Sequence, residues 1–456
     1  MLKIVNPATE AVIREIGEDT PETIAAKFKR ACAAQKAWAR APLAGKIEAI
    51  GKFKGLLAKN IDKLAATLTS EMGKPITQAR NEVNGVAGRI DFFVENVARV
   101  LDEKKVLTDA AQKLEEAITH EPLGVIGNIS AWNYPYFVGS NVFVPALLTG
   151  NAVLYKPSEF ATLTGLAITE LLYEAGIAED VFIPVIGGAS VGAMVLEMPL
   201  NGVFFTGSYA TGRKIAAAVA DRMIKLQLEL GGKDPVYVCN DVDVQAAAEA
   251  TADGAFYNTG QSCCSVERIY VHEKIHDRFV DAFAKTVEGF TIGDPADQKT
   301  YIGALTRPLQ IEVLDRQVAD AKKRGGRLLT GGERAARKGY FYRPTVFADA
   351  DHSMELMREE SFGPIIGIQK VKSDEEAVSL MNDTAYGLTA AVYTKDRARA
   401  RKVLAQANAG TVYWNCCDRV SPRLPWSGRG HSGIGSTLST YGIETFLQLK
   451  AWHLKG

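Results

Sequence analysis

A dense alternation of short apolar strands and amphipathic helices from residue 124 onwards constrains the fold of this chain more than any other feature of the sequence. Strands joined through single helices form parallel sheets with helices on both faces. The sequence therefore predicts a parallel, doubly wound sheet, and a second α/β domain where the alternation resumes. The first sheet has predicted strands at 124–130, 151–155, 181–185, 202–205 and 225–230 and helices at 163–175, 191–198 and 211–222; the second series is strand 235–239, helix 244–258, strand 268–271 and helix 275–288.

Two segments outside these series have strand character of their own. After a helical region over 20–100, residues 102–121 are charged and predict an edge strand or a hairpin arm. Residues 446–454 alternate polar and apolar side chains, which is typical of a half-buried strand. Because an unpaired strand edge seeks a partner, the two segments indicate that a sheet is completed within or between subunits.

Composition argues against several classes of protein. The chain has 456 residues, with 53 Lys or Arg and 53 Asp or Glu, and this neutral balance predicts neither nucleic acid nor an anionic membrane as a partner. Four of the six cysteines form two adjacent pairs and no C-x-x-C spacing occurs, which predicts no metal site and no disulfide scaffold. The absence of an apolar leader or a long apolar run predicts a cytoplasmic protein.

Three short stretches place reactive side chains on turns or at strand ends, and each has a plain structural alternative. Cys263 follows a Gly-rich turn, where a cysteine is either an exposed nucleophile or a small buried apolar residue. Glu229 stands between leucines at the end of an apolar strand, so it is either half of an ion pair or a base with a raised pKa. Asn133 follows the first strand of the alternation, where it forms a turn or donates to an oxyanion.

Two further stretches have the chemistry of a nucleotide site. Residues 205–212 form a strand, a turn and a helix with glycines five apart, where Ser208 and the free N–H groups of the helix could hold a phosphate. Lys156 and Glu159 follow the carboxyl end of a strand, where open α/β sheets bind ligands, and a carboxylate there can bridge ribose hydroxyls. A solvated loop is the plain alternative for this second stretch.

Seven short motifs, including those above, occur in the order found in one family of enzymes. The motifs are Asn133-Tyr-Pro, Lys156-Pro-Ser-Glu159, Phe205-Thr-Gly-Ser208, Glu229-Leu-Gly-Gly, Gly260-Gln-Ser-Cys263, Glu360-Ser-Phe362-Gly-Pro and Pro425-Trp-Ser-Gly428. On these motifs the chain resembles, over essentially its whole length, the NAD(P)-dependent aldehyde dehydrogenase superfamily. Within it, the chain is similar to the short bacterial type, near the semialdehyde and betaine-aldehyde branches.

The resemblance implies an α/β fold of the aldehyde dehydrogenase type, with a Rossmann-type cofactor domain, an α/β catalytic domain and a small β oligomerisation arm. The cofactor domain would consist of residues 1–103 and 123–231 and the catalytic domain of residues 232–430. Residues 104–122 and 431–456 would form the oligomerisation element. A strand donated across an interface fits either a homodimer or a homotetramer.

The resemblance also implies a role for each motif, with no metal required. Cys263 would be the nucleophile, Glu229 the general base, and Asn133 the oxyanion donor. Lys156 would contact the adenosine ribose and assist catalysis, and the Glu159 carboxylate would favour NAD, with NADP as the alternative cofactor. The implied cofactor-binding residues are Trp132, Lys156, Ser158, Glu159, Gly207, Ser208, Thr211, Glu229, Leu230, Gly231, Glu360 and Phe362.

The substrate implied by the resemblance is a small-molecule aldehyde of modest size, either a semialdehyde or an amino aldehyde. Asn141 stands where oxidisers of succinate semialdehyde carry an arginine, although Arg419 or Arg423 could supply a cation instead. Asp418 favours a polar or amine-bearing substrate. The positions of the family's aldehyde tunnel fall on Tyr134, Phe137, Asn141, Tyr257, Ser262, Cys264, Asp418, Val420 and Trp426.

Two alternatives belong to other functional classes. A CoA-acylating semialdehyde dehydrogenase would resolve the thioester with CoA, but such enzymes typically lack the glutamate present here as Glu229. A non-catalytic NAD-binding paralogue would have lost the nucleophile, the base or the oxyanion donor, and all three are present. The prediction is therefore oxidation of an aldehyde to its carboxylic acid, through a cysteine thiohemiacetal and a thioester that water hydrolyses.

Overall fold

The α/β fold predicted from the alternation is confirmed in a computed structural model, which describes all 456 residues. The helices are α1 (Pro21–Arg40), α2 (Leu43–Lys59), α3 (Ile61–Met72), α4 (Ile76–Leu101), α5 (Pro135–Leu148), α6 (Thr162–Glu174), α7 (Ala189–Glu197), α8 (Tyr209–Val219), α9 (Val244–Phe256), α10 (His276–Glu288), α11 (Leu309–Lys323), α12 (Asp374–Asn382), α13 (Arg397–Leu404) and α14 (Ser439–Glu444). The strands are β1 (Leu2–Asn6), β2 (Ala11–Ile16), β3 (Lys104–Asp109), β4 (Leu114–Pro122), β5 (Val125–Ile129), β6 (Ala152–Lys156), β7 (Phe182–Pro184), β8 (Gly202–Thr206), β9 (Lys225–Glu229), β10 (Asp234–Val238), β11 (Val266–His272), β12 (Arg327–Thr330), β13 (Thr345–Ala348), β14 (Ile365–Val371), β15 (Thr389–Tyr393), β16 (Thr411–Trp414), β17 (Gly433–Ile434) and β18 (Leu447–Lys455).

The first sheet has six strands in the order β17-β9-β8-β5-β6-β7, of which the five from β5 to β9 run parallel. Every residue of the central strands β5 and β6 is buried, because helices cover both faces of the sheet. Val125 and Ile129 pack with α1 and α7 on one face, whereas Ile126 packs with α2 to α5 on the other. This is the doubly wound Rossmann-type arrangement that the sequence predicts.

The second sheet has seven strands in the order β12-β13-β14-β11-β10-β15-β16, all parallel to their neighbours except the antiparallel edge strand β12. Helices α9 and α10 cover one face, and helices α11, α12 and α13 cover the other. The turn before β11 therefore stands at the edge of a rigid, doubly covered sheet, which is a firm support for a reactive side chain.

A separate antiparallel sheet has the order β18-β4-β3. The predicted arm at 102–121 forms β3 and β4, and the predicted strand at 446–454 forms β18, whose nine residues all pair with β4. Leu449, Trp452 and Leu454 project from β18 with 72%, 41% and 50% of their surface exposed. No helix of the chain has both the length and the apolar character needed to cross a bilayer.

Two predicted helix ends differ from the structure, and one hairpin was not predicted. The hairpin of β1 and β2 was not predicted, because most of its residues are exposed and give no apolar alternation. The helix predicted at 211–222 begins at Tyr209, since the Ser208 hydroxyl accepts the N–H of Thr211 and so caps the helix. The helix predicted at 244–258 ends at Phe256, because Asn258 and Thr259 adopt positive φ angles of 55° and 59°.

Candidate active site

Two cavities open at the carboxyl edge of the first sheet and meet at a shared pair of residues. The larger cavity, of about 430 Å³, is lined by residues that follow β5, β8 and β9 and by the Glu360–Phe362 loop. The smaller cavity, of about 350 Å³, is lined mainly by α4, α5 and the 418–426 loop. Glu229 and Cys263 line both cavities, and no other residue does. A group on Cys263 can therefore be reached from both sides.

The turn that carries Cys263 is fixed by buried hydrogen bonds. The Asn258 side-chain amide donates to the carbonyl oxygens of Asn133 (3.3 Å) and Gln261 (2.9 Å), and its backbone N–H donates to the Gln78 side chain (2.9 Å). Gly260 has φ +70°, and a Cβ there would lie 2.3 Å from the carbonyl oxygen of residue 363. Cys263 itself is half-buried. This packing leaves the cysteine at a fixed position between the two cavities.

Asn133 lies on the turn between β5 and α5, beside the cysteine turn. Its side-chain Nδ2 donates to the carbonyl oxygen of Gln261 at 3.2 Å, and only 4% of the residue is exposed. Its backbone carbonyl oxygen accepts hydrogen bonds from Lys74 Nζ (2.7 Å) and from Asn258. A buried amide held on both sides of its turn is preorganised to donate to an atom bound at Cys263.

Glu229 ends β9 and is buried at the junction of the two cavities. Burial raises the pKa of Glu229 to about 7, and the Thr437 hydroxyl hydrogen bond and the Arg89 charge oppose that rise. The Thr437 hydroxyl donates to Oε1, and β17 pairs with Leu228 and Glu229 to hold the strand end in place. A carboxyl group with a pKa near neutrality is well suited to take a proton from water.

The larger cavity has the features of a dinucleotide site, and its residues fit NAD(P). Gly207 and Ser208 follow β8 at the start of the capped helix α8, where N–H groups favour a phosphate. The Glu360 side chain accepts the N–H of Gly232 at 3.0 Å, and a Cβ on Gly231 would lie 2.3 Å from its Oε1. Burial and the nearby Glu267 charge raise the pKa of Glu360 to about 8. Of the predicted cofactor residues, Trp132, Gly207, Ser208, Glu229, Leu230, Gly231, Glu360 and Phe362 line this cavity.

The other predicted cofactor residues, Lys156, Ser158, Glu159 and Thr211, do not line this cavity. Lys156 is buried, donates to the carbonyl oxygen of Pro157 at 3.1 Å and lies 3.8 Å from Glu159 Oε2. Burial lowers the pKa of Lys156. Its hydrogen bond and its ion pair stay within residues 156–159, and Lys156 lines neither cavity, whereas Asn133, Glu229 and Cys263 all line the larger one.

The smaller cavity is lined by all nine predicted tunnel residues, namely Tyr134, Phe137, Asn141, Tyr257, Ser262, Cys264, Asp418, Val420 and Trp426. Tyr134 and Phe137 stack with their ring centroids 6.0 Å apart. The Cys264 thiol donates to Asp418 Oδ1 at 3.0 Å, and burial raises the pKa of Asp418 to about 7. Arg419 is an exposed residue of the wall, and Arg423 is exposed and does not line the cavity.

Several residues of the site were not predicted from the sequence. Gln78, Glu82 and Arg89 lie on one buried face of α4, and all three line the smaller cavity. Polar residues at helical spacing on an otherwise apolar face were the signal that could have identified them. Lys74, just before α4, and Thr437, on the C-terminal segment, carry no comparable signal in the sequence.

The carboxyl edge of the Rossmann-type sheet opens onto two cavities that share one cysteine and one carboxylate. This arrangement defines a cofactor-dependent oxidoreductase. The sequence model of the aldehyde dehydrogenase family matches residues 1–452. The peroxisomal aminoaldehyde dehydrogenase 2 of Malus domestica is 34% identical over 460 residues, which cover 98% of this chain and 91% of that relative. Among solved structures, an NADP-dependent enzyme of E. coli has a TM-score of 0.97 at 29% identity, covering 100% of this chain and 95% of its own.

An NAD-dependent aldehyde dehydrogenase from Sinorhizobium meliloti has a TM-score of 0.96 at 33% identity, covering 100% of this chain and 91% of its own. The chain belongs to the aldehyde dehydrogenase family. It is an NAD(P)-dependent enzyme that acts on a small-molecule aldehyde, as the seven sequence motifs predicted.

Proposed function

We propose that the protein oxidises an aldehyde to its carboxylic acid through a thioester on Cys263 that water hydrolyses. The observation that carries this proposal is that Cys263 and Glu229 are the two residues shared by the cofactor cavity and the smaller cavity. A nucleophile and a base at that junction can act on one substrate carbon in turn, with the cofactor on the opposite side.

In the first step, the Cys263 thiolate forms a bond to the aldehyde carbon, and the carbonyl oxygen takes up the electron pair as an oxyanion. The Asn133 amide and the Cys263 N–H donate to that oxygen, since both lie on the turns that enclose the cysteine. When bound, NAD(P)⁺ supplies the acceptor for the hydride that leaves this carbon, which converts the adduct to a thioester.

In the second step, the Glu229 carboxylate accepts a proton from the water that attacks the thioester carbon. The carbon–sulfur bond breaks, the Cys263 thiolate leaves with the bonding electron pair, and the carboxylic acid is released, while the proton remains on Glu229. A pKa of about 7 for Glu229 keeps a substantial fraction of the carboxylate ionised near neutral pH. Because Glu229 is buried at the junction of the two cavities, the water that it activates would be one held in those cavities.

The cofactor's nicotinamide end would lie beside Glu360, Phe362 and Trp132, and its pyrophosphate beside Ser208. Support comes from the edge-to-face contact of Trp132 with Phe362, whose ring centroids are 5.5 Å apart, and from the fixed Glu360 loop. The N–H groups of Ser361 and Phe362 donate to Glu267, which also pairs with Lys233 at 2.6 Å. Lys156, Ser158, Glu159 and Thr211 would take the adenosine end, where Lys156 would contact the ribose and assist catalysis.

We also propose that the three-stranded sheet is the oligomerisation element of a homodimer or homotetramer. Support comes from the exposed apolar side chains of β18 and from its full-length pairing with β4. The proposed division assigns 1–103 and 123–231 to the cofactor domain, 232–430 to the catalytic domain, and 104–122 with 431–456 to the oligomerisation element. Within the last range only β18 belongs to the three-stranded sheet, since β17 pairs with β9 of the first sheet. The substrate would be a semialdehyde or an amino aldehyde.

The test is NADH or NADPH production by the purified protein over a panel of aldehydes, with and without CoA. We expect carboxylic acid formation without CoA, and we expect Cys263→Ala to abolish it while Cys416→Ala, at a half-buried cysteine outside both cavities, retains it. Full turnover by Cys263→Ala would overturn the thioester mechanism. A requirement for CoA would establish the acylating alternative, and NAD(P) binding without turnover would establish a non-catalytic paralogue.

A further inference from the structure

The smaller cavity contains a buried cation without an anionic partner, the guanidinium of Arg89 on α4. Only 6% of the residue is exposed, and its guanidinium stacks over the Phe137 ring at 4.0 Å. Its single hydrogen bond runs from Nη1 to Asn141 Oδ1 at 2.6 Å, and no carboxylate oxygen lies within 4.0 Å of it. A buried charge in a folded protein is normally paired with an opposite charge, so we expect the Arg89 guanidinium to bind an anion.

The other buried arginine shows how a structural guanidinium is satisfied in this protein. Arg268 donates from Nε to the Lys233 carbonyl oxygen, from Nη1 to the Tyr270 hydroxyl and the Leu380 carbonyl oxygen, and from Nη2 to the Met381 carbonyl oxygen. All three of its nitrogens are engaged, whereas Nε and Nη2 of Arg89 have no acceptor. The unused donors of Arg89 are therefore available to a molecule in the cavity.

The neighbouring carboxylates are committed to other partners. Glu82 pairs with Lys74 and accepts the N–H of Tyr136 at 2.9 Å. Glu229 accepts a hydrogen bond from the Thr437 hydroxyl, and its charge acts on Arg89 only over a longer distance. Burial lowers the pKa of Arg89 to about 10, so the guanidinium remains charged at neutral pH.

We propose that Arg89 binds a carboxylate of the substrate, so that the enzyme's substrates are aldehyde acids with the aldehyde at Cys263 and the carboxylate at the guanidinium. This assignment rests on the proposed function of the two cavities. A planar guanidinium with two free nitrogens matches the two oxygens of a carboxylate, and the Phe137 stack and the Asn141 hydrogen bond fix its plane. An aldehyde bearing an ammonium group would meet a like charge.

Asp418 does not offset this preference. Its carboxyl accepts the Cys264 thiol at 3.0 Å, and burial raises its pKa to about 7, so it is only partly ionised near neutral pH. Arg419, next to it on the exposed wall, adds a second positive charge to the cavity. Arg89 and Arg419, which line the cavity and have no carboxylate partner, thus both carry a positive charge.

A matched series of four-carbon aldehydes tests the proposal on the wild-type enzyme. Succinate semialdehyde, butanal and 4-aminobutanal differ in charge at the far end and little in length. We expect kcat/KM to fall in that order, with the difference between the first two residing mainly in KM. A preference for 4-aminobutanal would overturn the proposal, and failure to oxidise any aldehyde would instead reject the proposed function.

The variant Arg89→Met tests the residue itself, and the control is Arg80→Met, at a half-exposed arginine of the same helix that pairs with Asp62 and does not line the cavity. We expect Arg89→Met to lower the ratio of kcat/KM for succinate semialdehyde to that for butanal by about 10- to 100-fold, since hydrogen bonds to a charged group are lost. Arg80→Met should leave the ratio unchanged.

Two further readouts separate substrate binding from an indirect effect on Glu229. If Arg89 acted only through Glu229, Arg89→Met would change kcat and shift the pH profile equally for both substrates. The ratio of kcat/KM for succinate semialdehyde to that for butanal would then stay constant, and that result would overturn the proposal. Should Arg89→Met fail to fold, competitive inhibition of wild-type butanal oxidation is decisive. We expect succinate to inhibit more strongly than butylammonium, and the reverse order would contradict the proposal.

Discussion

The ammonium group of Lys74 donates a hydrogen bond to the backbone carbonyl oxygen of Asn133, with 2.7 Å between the two heavy atoms. Both residues are buried, and Lys74 also pairs with Glu82 and lies 3.7 Å from the centre of the Tyr134 ring. The second oxygen of Glu82 accepts the N–H of Tyr136. One buried ion pair therefore holds both sides of the turn that presents the Asn133 amide.

Removing the lysine from this pair should destabilise the whole protein. In Lys74→Met, the Glu82 carboxylate stays buried with no charge partner, and we expect a loss of about 3–5 kcal/mol in the free energy of unfolding. Urea unfolding measures the loss, and Lys54→Met, which breaks a half-exposed pair with Asp91, should cost under about 1 kcal/mol. Equal losses in the two variants would contradict the prediction.

The carboxylate at the junction of the cavities should matter more for the second chemical step than for the first. We expect Glu229→Gln to retain a first-turnover burst of NAD(P)H while its steady-state rate falls about 100- to 10,000-fold, because the thioester persists without a base. Rapid-mixing absorbance measures both phases, and acid quenching followed by mass analysis detects the acylated protein. An unchanged steady-state rate would remove Glu229 from the mechanism.

The hydroxyl of Thr437 should set the pH at which Glu229 becomes active. Its hydrogen bond favours the carboxylate form, so in Thr437→Val the pKa of Glu229 should rise above its value of about 7. The acidic limb of the pH profile of kcat should then move to higher pH. Thr445→Val is the matched control, because the Thr445 hydroxyl donates to the carbonyl oxygen of Ser436 instead. Identical profiles for the two variants would exclude this role.

A buried carboxyl that lines neither cavity should make stability depend on pH. Burial raises the pKa of Glu71 to about 7 from an ordinary value of 4.5, against the opposing hydrogen bonds from Leu163 and Thr164. Between these pH values the folded protein binds more protons than the unfolded chain, so this contribution to stability is present at low pH and is lost as pH rises through the window.

The variant Glu71→Gln lacks that contribution. The free energy of unfolding of the wild type minus that of Glu71→Gln should therefore fall by up to about 3 kcal/mol as the pH rises from 4.5 to about 7. Urea unfolding of both proteins across this pH range measures the difference. A difference that stays constant with pH would show that Glu71 does not titrate as expected.

The sequence predicted the fold well where burial is strong on both faces of an element. Every residue of β5 and β6 is buried, so both strands read as mainly apolar runs, with Asn128 and Lys156 as the polar exceptions, and their parallel pairing follows from the intervening helices. The hairpin of β1 and β2 was missed because Val12 and Ile13 are exposed and give no alternation. The early start of α8 depends on a capping hydrogen bond rather than on periodicity.

The site was predictable only in part, for a physical reason. Motifs identify side chains that are adjacent in sequence, and the residues predicted for the smaller cavity do line that cavity. Arg89 and Thr437 act from segments that only the tertiary fold brings near Glu229, and a helical arginine is ordinarily solvated. The spacing of Arg89 on an otherwise apolar face of α4 is a sign of burial, but only the tertiary fold shows that its charge lies in the smaller cavity.

The pairing of β17 with β9 has a consequence for how the protein is made. Glu229 and Thr437 are separated by 208 residues, so on the ribosome β9 emerges long before the segment that anchors its carboxylate. Until then the first sheet has an open edge beside β9, and the nascent chain has no finished catalytic centre. The enzyme therefore becomes competent only late in synthesis, once β17 has closed the edge beside β9.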